Sequence, residues 1–283
     1  MVAAPLSIAE LIQQAQARLW QSESARLDAE LLLGKVLGKS RSYLLTWPER
    51  GVNAAQQQQF EQFISAREQG QPVAYLLGER EFWSLPLAVD NSTLIPRPDT
   101  EHLVEAALAL DLPECAQVID LGCGSGAIAL ALKSERPQWQ VLALERDARA
   151  VALAQRNAQR LQLDVTVIQS DWFSALTLQP QFHAVVSNPP YIDAADPHLQ
   201  QGDVRFEPRS ALVAAQQGLA DLAQLISQAP HYLRSGGWLL LEHGWQQGQA
   251  VRALFQQRGY TQVSSQRDYA KLERITLGQW VGE

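Results

Sequence analysis

The sequence is poor in cysteine, because its 283 residues contain only Cys115 and Cys123. Two cysteines give neither a disulfide framework nor the spacing of a zinc site, and they fit a reducing compartment. No apolar run is long enough to span a bilayer. The first ten residues also lack the basic stretch and apolar run of a signal peptide. These absences predict a cytoplasmic protein with no membrane segment and no metal site.

Positive charge is also scarce, since 23 Lys and Arg face 30 Asp and Glu and the formal net charge is −7. A general nucleic-acid-binding protein usually has a basic face. The charge balance therefore argues weakly against that class, although it leaves room for a local basic patch. The chain length itself predicts about two domains.

The first 80 residues predict a small helical bundle. Ser7 and Glu10 form a capping-box pattern ahead of apolar residues at helical spacing. A second helix is predicted from Ser24 to Leu37, with Leu27, Leu31, Leu32 and Val36 on its apolar face. The bundle holds no catalytic constellation. It is open whether it stabilises the protein or forms a platform for a macromolecular substrate.

From about residue 81 the composition of the chain changes, and apolar residues with high β-propensity become frequent. The stretch from Phe82 to Val89, the turn residues Asp90 to Ser92 and the short run from Thr93 to Ile95 predict a β-hairpin over residues 81–97. Arg97 then lies between two prolines. Arg97 could either form a structural salt bridge or line the functional site, and the sequence favours neither alternative.

A glycine loop lies between a predicted strand, Val118 to Leu121, and a predicted helix, Ala127 to Lys133. Strand, glycine loop and helix begin a nucleotide-binding α/β unit. The spacing is Gly-x-Gly-x-Gly, not Gly-x-Gly-x-x-Gly, and there is no Gly-Lys-Ser/Thr phosphate loop. The pattern therefore favours S-adenosylmethionine over NAD or ATP. The candidate cofactor-binding residues of this loop are Gly122, Cys123, Gly124, Ser125 and Gly126.

The next two strands add further candidate cofactor residues. Glu145 ends the second strand roughly twenty residues beyond the loop, where an acid accepts hydrogen bonds from both ribose hydroxyls. Asp171 ends the third strand and is placed to accept from an adenine amino group. Trp172 is placed to pack on the base, with a buried core aromatic as the alternative.

The fourth predicted strand, His183 to Ser187, leads into the tetrapeptide Asn188-Pro189-Pro190-Tyr191. Consecutive prolines stiffen the chain where it leaves the sheet. The Asn188 side chain and the carbonyls of Asn188 and Pro189 offer acceptors, and Tyr191 offers an aromatic face. A rigid set of acceptors beside a ring suits a planar group that carries –NH2. The whole tetrapeptide is therefore the candidate substrate site, with Asn188, Pro189 and Tyr191 as catalytic candidates and Asn188 also near the cofactor.

Taken together, these motifs resemble Rossmann-like class I methyltransferases that act on planar nitrogens. Longer strings resemble the peptide chain release factor N5-glutamine methyltransferases, the HemK/PrmC family, over nearly the whole chain. These strings are Glu81–Leu87, Leu94–Glu101, Gly202–Pro208 and Leu241–Trp245. Adenine N6-methyltransferases share the tetrapeptide but not the longer strings. Departures from the family pattern are small and lie at Cys123, Ser125, Glu145 and Ala270.

The resemblance implies an α/β fold: a seven-stranded sheet with its last strand antiparallel, and an N-terminal helical bundle joined by the β-hairpin. It implies residues 1–80 as the bundle that recognises the substrate protein, 81–97 as the hairpin linker and 98–283 as the methyltransferase domain. The implied cofactor is S-adenosylmethionine, with S-adenosylhomocysteine as product. The implied reaction methylates the side-chain amide of the glutamine in the Gly-Gly-Gln motif of bacterial release factors.

Further expectations concern partners and rival functions. The protein is expected to act as a monomer on bacterial class I release factors, without direct nucleic-acid or membrane contact. One rival is an adenine N6-methyltransferase acting on DNA or RNA. The other is a non-catalytic cofactor-binding protein, which the intact tetrapeptide beside an intact glycine loop disfavours. His243 follows a predicted strand, but no partner pattern supports it as a base, and a structural role is favoured.

Overall fold

The computed structural model describes residues 5–282, so residues 1–4 and 283, at the outer ends of the predicted domains, lie outside the described part. The described chain forms two compact units. One comprises residues 5–78 together with Gly202–Phe206, and the other comprises Glu79–Gln201 and residues 207–282. In this described part, no helix is both long and apolar enough to cross a membrane. The division at residues 80 and 97 stays a prediction.

The first unit is helical. Its helices are α1 (Ile8–Arg18), α2 (Ala25–Leu37), α3 (Arg41–Thr46), α4 (Ala54–Glu68) and α5 (Val73–Leu77). The capping box is present, because Ser7 accepts from the Glu10 amide and the Glu10 side chain accepts from the Ser7 amide. Leu27 and Leu31 were expected on the buried face of α2, but they are 40% and 37% exposed. Leu32, which was expected on the same face, is fully buried and Val36 is partly buried, because packing against α1 and α4 selects their side of the helix.

A two-stranded hairpin opens the second unit, with β1 (Glu79–Phe82) paired antiparallel to β2 (Leu85–Ala88). The chain does turn at Asp90–Ser92, where the Thr93 amide donates to the Asp90 carbonyl oxygen at 3.4 Å. This is not the hairpin turn, however, and the prediction of a returning strand at Thr93–Ile95 is wrong. The hairpin turn consists of Trp83 and Ser84, both with positive φ. Two left-handed residues match the twist of a tight hairpin, but Trp-Ser is not a usual sequence for that turn. Tertiary burial of Phe82 on one strand and Leu87 on the other accompanies this pairing.

The main sheet has seven strands: β3 (Gln117–Leu121), β4 (Gln140–Glu145), β5 (Val165–Gln169), β6 (Phe182–Ser187), β7 (Leu233–Glu242), β8 (Thr261–Arg267) and β9 (Glu273–Trp280). Their order is β5-β4-β3-β6-β7-β9-β8. β9 runs antiparallel to both of its neighbours, β7 and β8, whereas the pairs among β3 to β7 are all parallel. The expected seven-stranded sheet with an antiparallel last strand is confirmed.

Helices cover both faces of this sheet: α6 (Glu101–Leu108), α7 (Ala127–Glu135), α8 (Ala148–Leu161), α9 (Ala215–Gly218), α10 (Ala220–Gln228) and α11 (Gly248–Arg258). Successive strand residues point to opposite faces. Val118 accordingly packs in the apolar cluster with α6, α7 and α8, whereas Ile119 packs in the cluster with α10 and α11. The almost uninterrupted apolar strands are typical of parallel strands that are buried on both faces.

The Gly236-Gly237 pair lies inside β7. The pairing of β6 with β7 shifts register at this point, between Phe182 and Ala184. A Cβ atom on Gly237 would lie 2.9 Å from the Arg234 carbonyl oxygen and 3.1 Å from that of Phe182. Glycine is therefore needed because two backbone segments approach closely, which the local sequence did not reveal.

The strand order positions the site. From β3 the chain proceeds outward to β4 and β5, then returns to β6 on the other side of β3. Open α/β sheets bind ligands at the carboxyl ends of the strands beside such a reversal. The Ser187 hydroxyl donates to the Leu121 carbonyl at 2.7 Å and ties together the carboxyl ends of β6 and β3. The glycine loop and the tetrapeptide therefore leave the sheet side by side.

Candidate active site

A cavity of about 450 Å³ opens at the carboxyl ends of β3 to β6. Ligand pockets typically have volumes of this order. The cavity brings together most of the predicted site residues, namely Gly122, Cys123, Gly124, Ser125, Glu145, Asp171, Trp172, Asn188 and Pro190. Gly126, Pro189 and Tyr191 are not among its lining residues. Of the tetrapeptide, Asn188 and Pro190 therefore face the same space as the glycine loop.

The glycine loop depends on left-handed backbone conformations. Gly122, Gly124 and Gly126 have φ values of 70°, 54° and 84°, which are strained for any residue with a Cβ atom. A Cβ atom on Gly122 would also lie 3.2 Å from the Trp172 ring. On Gly126 it would meet Leu130 at 3.2 Å, so this glycine serves the packing of α7. The first glycine of the motif thus permits contact with Trp172, and the last permits the turn into the helix.

The Glu145 carboxylate is held by the backbone. Its Oε2 atom accepts from the Gly124 amide at 3.0 Å, and its Oε1 atom accepts from the Asp147 amide at 2.9 Å. A carboxylate has about four lone-pair sites. Each oxygen therefore keeps acceptor capacity toward the cavity that Glu145 lines. The two backbone bonds fix its position between the glycine loop and the start of α8.

Trp172 is held in an uncommon backbone conformation, with φ at 48°. Its side chain lies near enough to Asp221, on the first turn of α10, to act on that carboxyl group, and both residues line the cavity. Burial raises the pKa of Asp221, and the nearby Asp171 carboxylate contributes to this rise. Asp221 was missed by the sequence reasoning, because one acid at a helix start resembles many solvated acids and lies 49 residues from Trp172.

Asn188 reaches the cavity with its amide group oriented by the protein. Its Nδ2 atom donates to the Thr100 hydroxyl oxygen at 3.1 Å. Because this bond engages the –NH2 group, the Oδ1 atom is the acceptor that Asn188 keeps for a ligand. Thr100 also lines the cavity and is 5% exposed. It lies in the Pro98–Thr100 turn before α6, within a string that the sequence linked to the family but not to the site.

Tyr191 does not present its ring to the cavity. Its hydroxyl donates to Glu242 Oε1 at 3.2 Å, and its ring packs against the apolar cluster beneath α10 and α11. Its carbonyl oxygen accepts from Gln247 Nε2 at 3.0 Å. A Cβ atom on Gly218 would lie 2.0 Å from this oxygen. The two hydrogen bonds of Tyr191 therefore anchor the end of the tetrapeptide, and the chain at Gly218 passes too close to it for a residue with a Cβ atom.

Both interpretations of Arg97 apply at once. Its Nη2 atom lies 2.5 Å from Glu207 Oε1, and Arg97 also lines the cavity. The Glu207 side chain is fully buried, whereas that of Arg97 is 33% exposed. The ion pair thus fixes the guanidinium at the cavity wall.

His243 is a buried structural residue. Its Nδ1 atom lies 2.9 Å from the Gly244 carbonyl oxygen, and its Nε2 atom lies 2.9 Å from the Thr276 hydroxyl. Burial lowers its pKa, which favours the neutral ring. His243 does not line the cavity, so the favoured structural role agrees with its surroundings.

The cavity is bordered by acids. Four carboxylate residues line it against two arginines: Glu145, Asp147, Asp171 and Asp221 against Arg97 and Arg146. Asp120 lies fully buried before the glycine loop, where its Oδ2 atom accepts from the Ala129 amide at 3.2 Å. Burial raises its pKa to about 7, and Glu145 adds to the rise. Such surroundings suit a ligand that carries positive charge.

Comparison with known proteins finds similar sequences over almost the entire length of the chain. The PrmC N-terminal domain model matches residues 10–78, and the methyltransferase small domain model matches residues 100–203. A release factor glutamine methyltransferase from Shewanella oneidensis is 53% identical over 277 residues, covering 97% of this chain and 96% of its own. One from Pseudomonas aeruginosa is 56% identical over 275 residues, covering 97% and 99%.

A solved structure shares the fold at much lower identity. The hMettl16 catalytic domain, in complex with MAT2A 3′UTR hairpin 6, aligns with a TM-score of 0.59 at 17% identity. The alignment covers 75% of this chain and 82% of that chain. The fold is thus that of the Rossmann-like class I methyltransferases, as the sequence resemblance implied.

Proposed function

Because this chain belongs to the release factor glutamine methyltransferase family, we propose that it methylates the glutamine of the Gly-Gly-Gln motif in bacterial release factors. The methyl group comes from S-adenosylmethionine and is transferred to the side-chain amide nitrogen, N5, leaving S-adenosylhomocysteine. One observation carries the proposal. Asn188, with its amide oriented by Thr100, lines the same cavity as the glycine loop. The proposed substrate implies action in the cytoplasm, where release factors work.

The residues around the cavity fit S-adenosylmethionine. The left-handed glycines bring backbone to the cavity wall, Glu145 keeps acceptor capacity for ribose hydroxyls, and Trp172 offers a face for the adenine ring. Asp171, on the same wall, would accept from the adenine amino group. When bound, this cofactor supplies a methyl group on a positively charged sulfur. The acidic border of the cavity favours that charge.

The tetrapeptide is proposed to bind the substrate carboxamide. The Asn188 side-chain oxygen and the Pro189 carbonyl would each accept one N–H of the –NH2 group. An amide nitrogen is a poor nucleophile because its lone pair is delocalised into the carbonyl. When both N–H bonds are fixed, the plane of the amide is fixed as well. The lone-pair density of the nitrogen, which lies above and below that plane, then points to the cofactor side of the cavity. Positioning of this kind lowers a barrier by on the order of several kcal/mol.

The same acceptors favour the transition state over the ground state. The nitrogen gains positive charge as it attacks, so its N–H groups become stronger donors to the Asn188 and Pro189 oxygens. Tyr191 contributes by anchoring this corner through Glu242 and Gln247. Pro190, which also lines the cavity, stiffens the corner.

Residues 1–80 are proposed to recognise the release factor and residues 81–97 to link them to the methyltransferase domain, residues 98–283. The helical unit exposes large apolar side chains, including Trp20, Leu45 and Trp47, which are 76%, 53% and 42% exposed. Exposed aromatic and aliphatic side chains are typical of protein-binding surfaces. The protein is proposed to act as a monomer without direct contact to nucleic acid.

The deciding experiment is mass spectrometry of the Gly-Gly-Gln peptide from a purified release factor, incubated with the protein and S-adenosylmethionine. A gain of one methyl group on the glutamine is expected. DNA and RNA are incubated in parallel, and methylated adenine with an unmodified release factor would favour the adenine N6-methyltransferase. Calorimetry tests S-adenosylmethionine binding, and its absence would instead indicate a non-catalytic protein.

The variant Asn188→Ala tests the role proposed for the Asn188 side chain in the same methylation assay. It should keep its thermal unfolding transition, because Asn188 lies at the surface of the cavity and not in an apolar cluster. It should also lose release-factor methylation. Turnover close to that of the wild type would refute the role assigned to this side chain.

A further inference from the structure

A cluster of cations and aromatic rings lies on the helical unit, at α3 and in the loops that flank it. The Arg50 guanidinium lies over the Trp47 ring at 4.9 Å and over the Tyr43 ring at 5.5 Å, measured to the ring centroids. Arg50 Nη1 also donates to the Tyr43 hydroxyl at 2.7 Å. The Lys39 ammonium lies 5.2 Å from the centroid of the Tyr43 ring. We call these four residues the cation–aromatic cluster.

The backbone holds this cluster in place. Trp47 lies at the carboxyl end of α3, where its amide donates to the Tyr43 carbonyl oxygen. The Arg50 carbonyl oxygen accepts from the Ile8 amide, at the start of α1, at 3.0 Å. Because the rings and cations are already ordered by one another and by the backbone, binding at this place orders few further side chains and therefore costs little conformational entropy.

The two cations of the cluster lack a carboxylate partner. Within residues 5–282, no carboxylate lies within ion-pair distance of Lys39 or Arg50. Ion pairs engage four other arginines of the helical unit, namely Arg18, Arg26, Arg41 and Arg67. Residues 34–50 contain four cations and one acid, a formal charge of +3, in a chain whose formal net charge is −7. A positive surface on a negative protein favours a negatively charged partner.

The arrangement of the rings favours carboxylates over nucleic-acid bases. Single-stranded nucleic acids stack their bases on aromatic faces, but here the protein's own cations lie over the Tyr43 and Trp47 rings. A guanidinium has five N–H donors in a planar fork that matches a carboxylate. Arg50 uses one of its nitrogens for the Tyr43 hydroxyl, so the other donors stay available. An acidic protein surface therefore fits the cluster better than RNA or DNA.

We propose that the cation–aromatic cluster binds acidic side chains on the surface of the release factor. The Gly-Gly-Gln motif carries no carboxylate of its own, so this contact lies elsewhere on the substrate protein. The inference rests on the proposed function, because it names the chemistry by which the helical unit holds the release factor. Leu45 and Trp47, which are 53% and 42% exposed, add apolar area next to the charges. The cluster contributes affinity, so it acts on the KM for the release factor and leaves kcat unchanged.

The test reverses both charges in the variant Lys39→Glu/Arg50→Glu of the full chain. At about 50 mM NaCl, the Kd for a purified release factor should rise about 5- to 30-fold in calorimetry with S-adenosylhomocysteine present. The KM should rise by a similar factor, with kcat and the Kd for S-adenosylmethionine unchanged. At about 500 mM NaCl the difference from the wild type should shrink, because salt screens exposed charges.

Two further variants separate the cluster from a general effect of charge. Arg136→Glu is the matched control, because Arg136 also lies over a ring, 5.9 Å from the Trp139 centroid, but belongs to the second unit and does not line the cavity. It should leave the Kd for the release factor unchanged. Trp47→Leu removes one ring but keeps both charges and should raise that Kd about 2- to 5-fold. Thermal unfolding checks that each variant is folded.

The outcomes separate this inference from the proposed function. A double variant that binds the release factor with the wild-type Kd would overturn the inference. So would a single-stranded RNA that loses its binding in the double variant while the release factor does not. A release factor that binds through the cluster but gains no methyl group would refute only the proposed function. A release factor that the double variant methylates with the wild-type KM would refute only the role of the cluster.

Discussion

Replacing Gly218 by alanine should damage the site through a single steric contact. Gly218 has a φ of 82°, and the two preceding residues, Gln216 and Gln217, are also left-handed. A Cβ atom on Gly218 would lie 2.0 Å from the Tyr191 carbonyl oxygen and 2.7 Å from Gln247 Nε2. The added methyl group therefore meets the tetrapeptide's anchor and the side chain that holds it.

The size of the effect follows from these distances. The Tyr191 carbonyl must move by roughly 1 Å or more before even a tight contact of 3.0 Å is reached. Its hydrogen bond to Gln247, worth about 1 kcal/mol, is then lost, and left-handed alanine adds about 1–2 kcal/mol of strain. Together these give an expected loss of about 2–3 kcal/mol in the free energy of unfolding. A displacement of about 1 Å in a catalytic corner typically costs about 100-fold in kcat.

Gly236 provides a matched control. Its φ is 84°, close to that of Gly218, but a Cβ atom there would meet only Gln279 Nε2, at 3.8 Å. Gly236→Ala should therefore show the strain of about 1–2 kcal/mol alone, with unchanged kcat. Urea unfolding measures the stability of both variants, and mass spectrometry of the release-factor peptide gives their kcat. A Gly218→Ala variant with wild-type kcat would refute the claim that this contact positions the tetrapeptide.

Three further predictions concern the buried acids and the aromatic wall. Asp120→Asn should raise the free energy of unfolding by about 2–4 kcal/mol at pH 8. The raised pKa of Asp120, about 7, makes the native state bind more protons than the unfolded chain between pH 4 and 7. The wild type therefore loses stability as the pH rises through this range, so the gain should vanish near pH 4, and urea unfolding at both pH values checks it. Tyr191→Phe removes the hydroxyl that donates to Glu242 and with it one anchor of the tetrapeptide, so the kcat for the release factor should fall; an unchanged kcat would count against that contact. Trp172→Ala should raise the Kd for S-adenosylmethionine about 5- to 100-fold in calorimetry, given about 1–3 kcal/mol for stacking on a base. Trp245→Ala, at an exposed residue outside the cavity lining, should leave that Kd unchanged.

Local sequence patterns were sufficient wherever a structure is determined by neighbouring residues. The capping box at Ser7 and the strand before Gly122 formed as expected. These features depend on residues within about four positions along the chain. Parallel strands place their carboxyl ends at one edge, so the meeting of Asn188 with the glycine loop also followed from the order of elements.

Local patterns were insufficient where a distant contact selects among alternatives. The hairpin turn lies at Trp83 and not at Asp90–Ser92, although the latter has the better turn residues. Leu27 is exposed although its helical spacing suggested burial. In both places several conformations satisfy the local preferences, and packing with the rest of the unit decides between them.

The sequence by itself determined the α/β fold, the glycine loop, the family and the tetrapeptide, because short-range patterns and long matching strings record them directly. Only the tertiary structure decided that Tyr191 anchors the corner instead of covering a ligand, and that Thr100 lies against Asn188. It alone brought Asp221 to Trp172 and Gly218 to the Tyr191 carbonyl. These pairs are separated by 27 to 88 residues along the chain. Hydrogen bonds and steric contacts depend on distances in space, which no local pattern specifies.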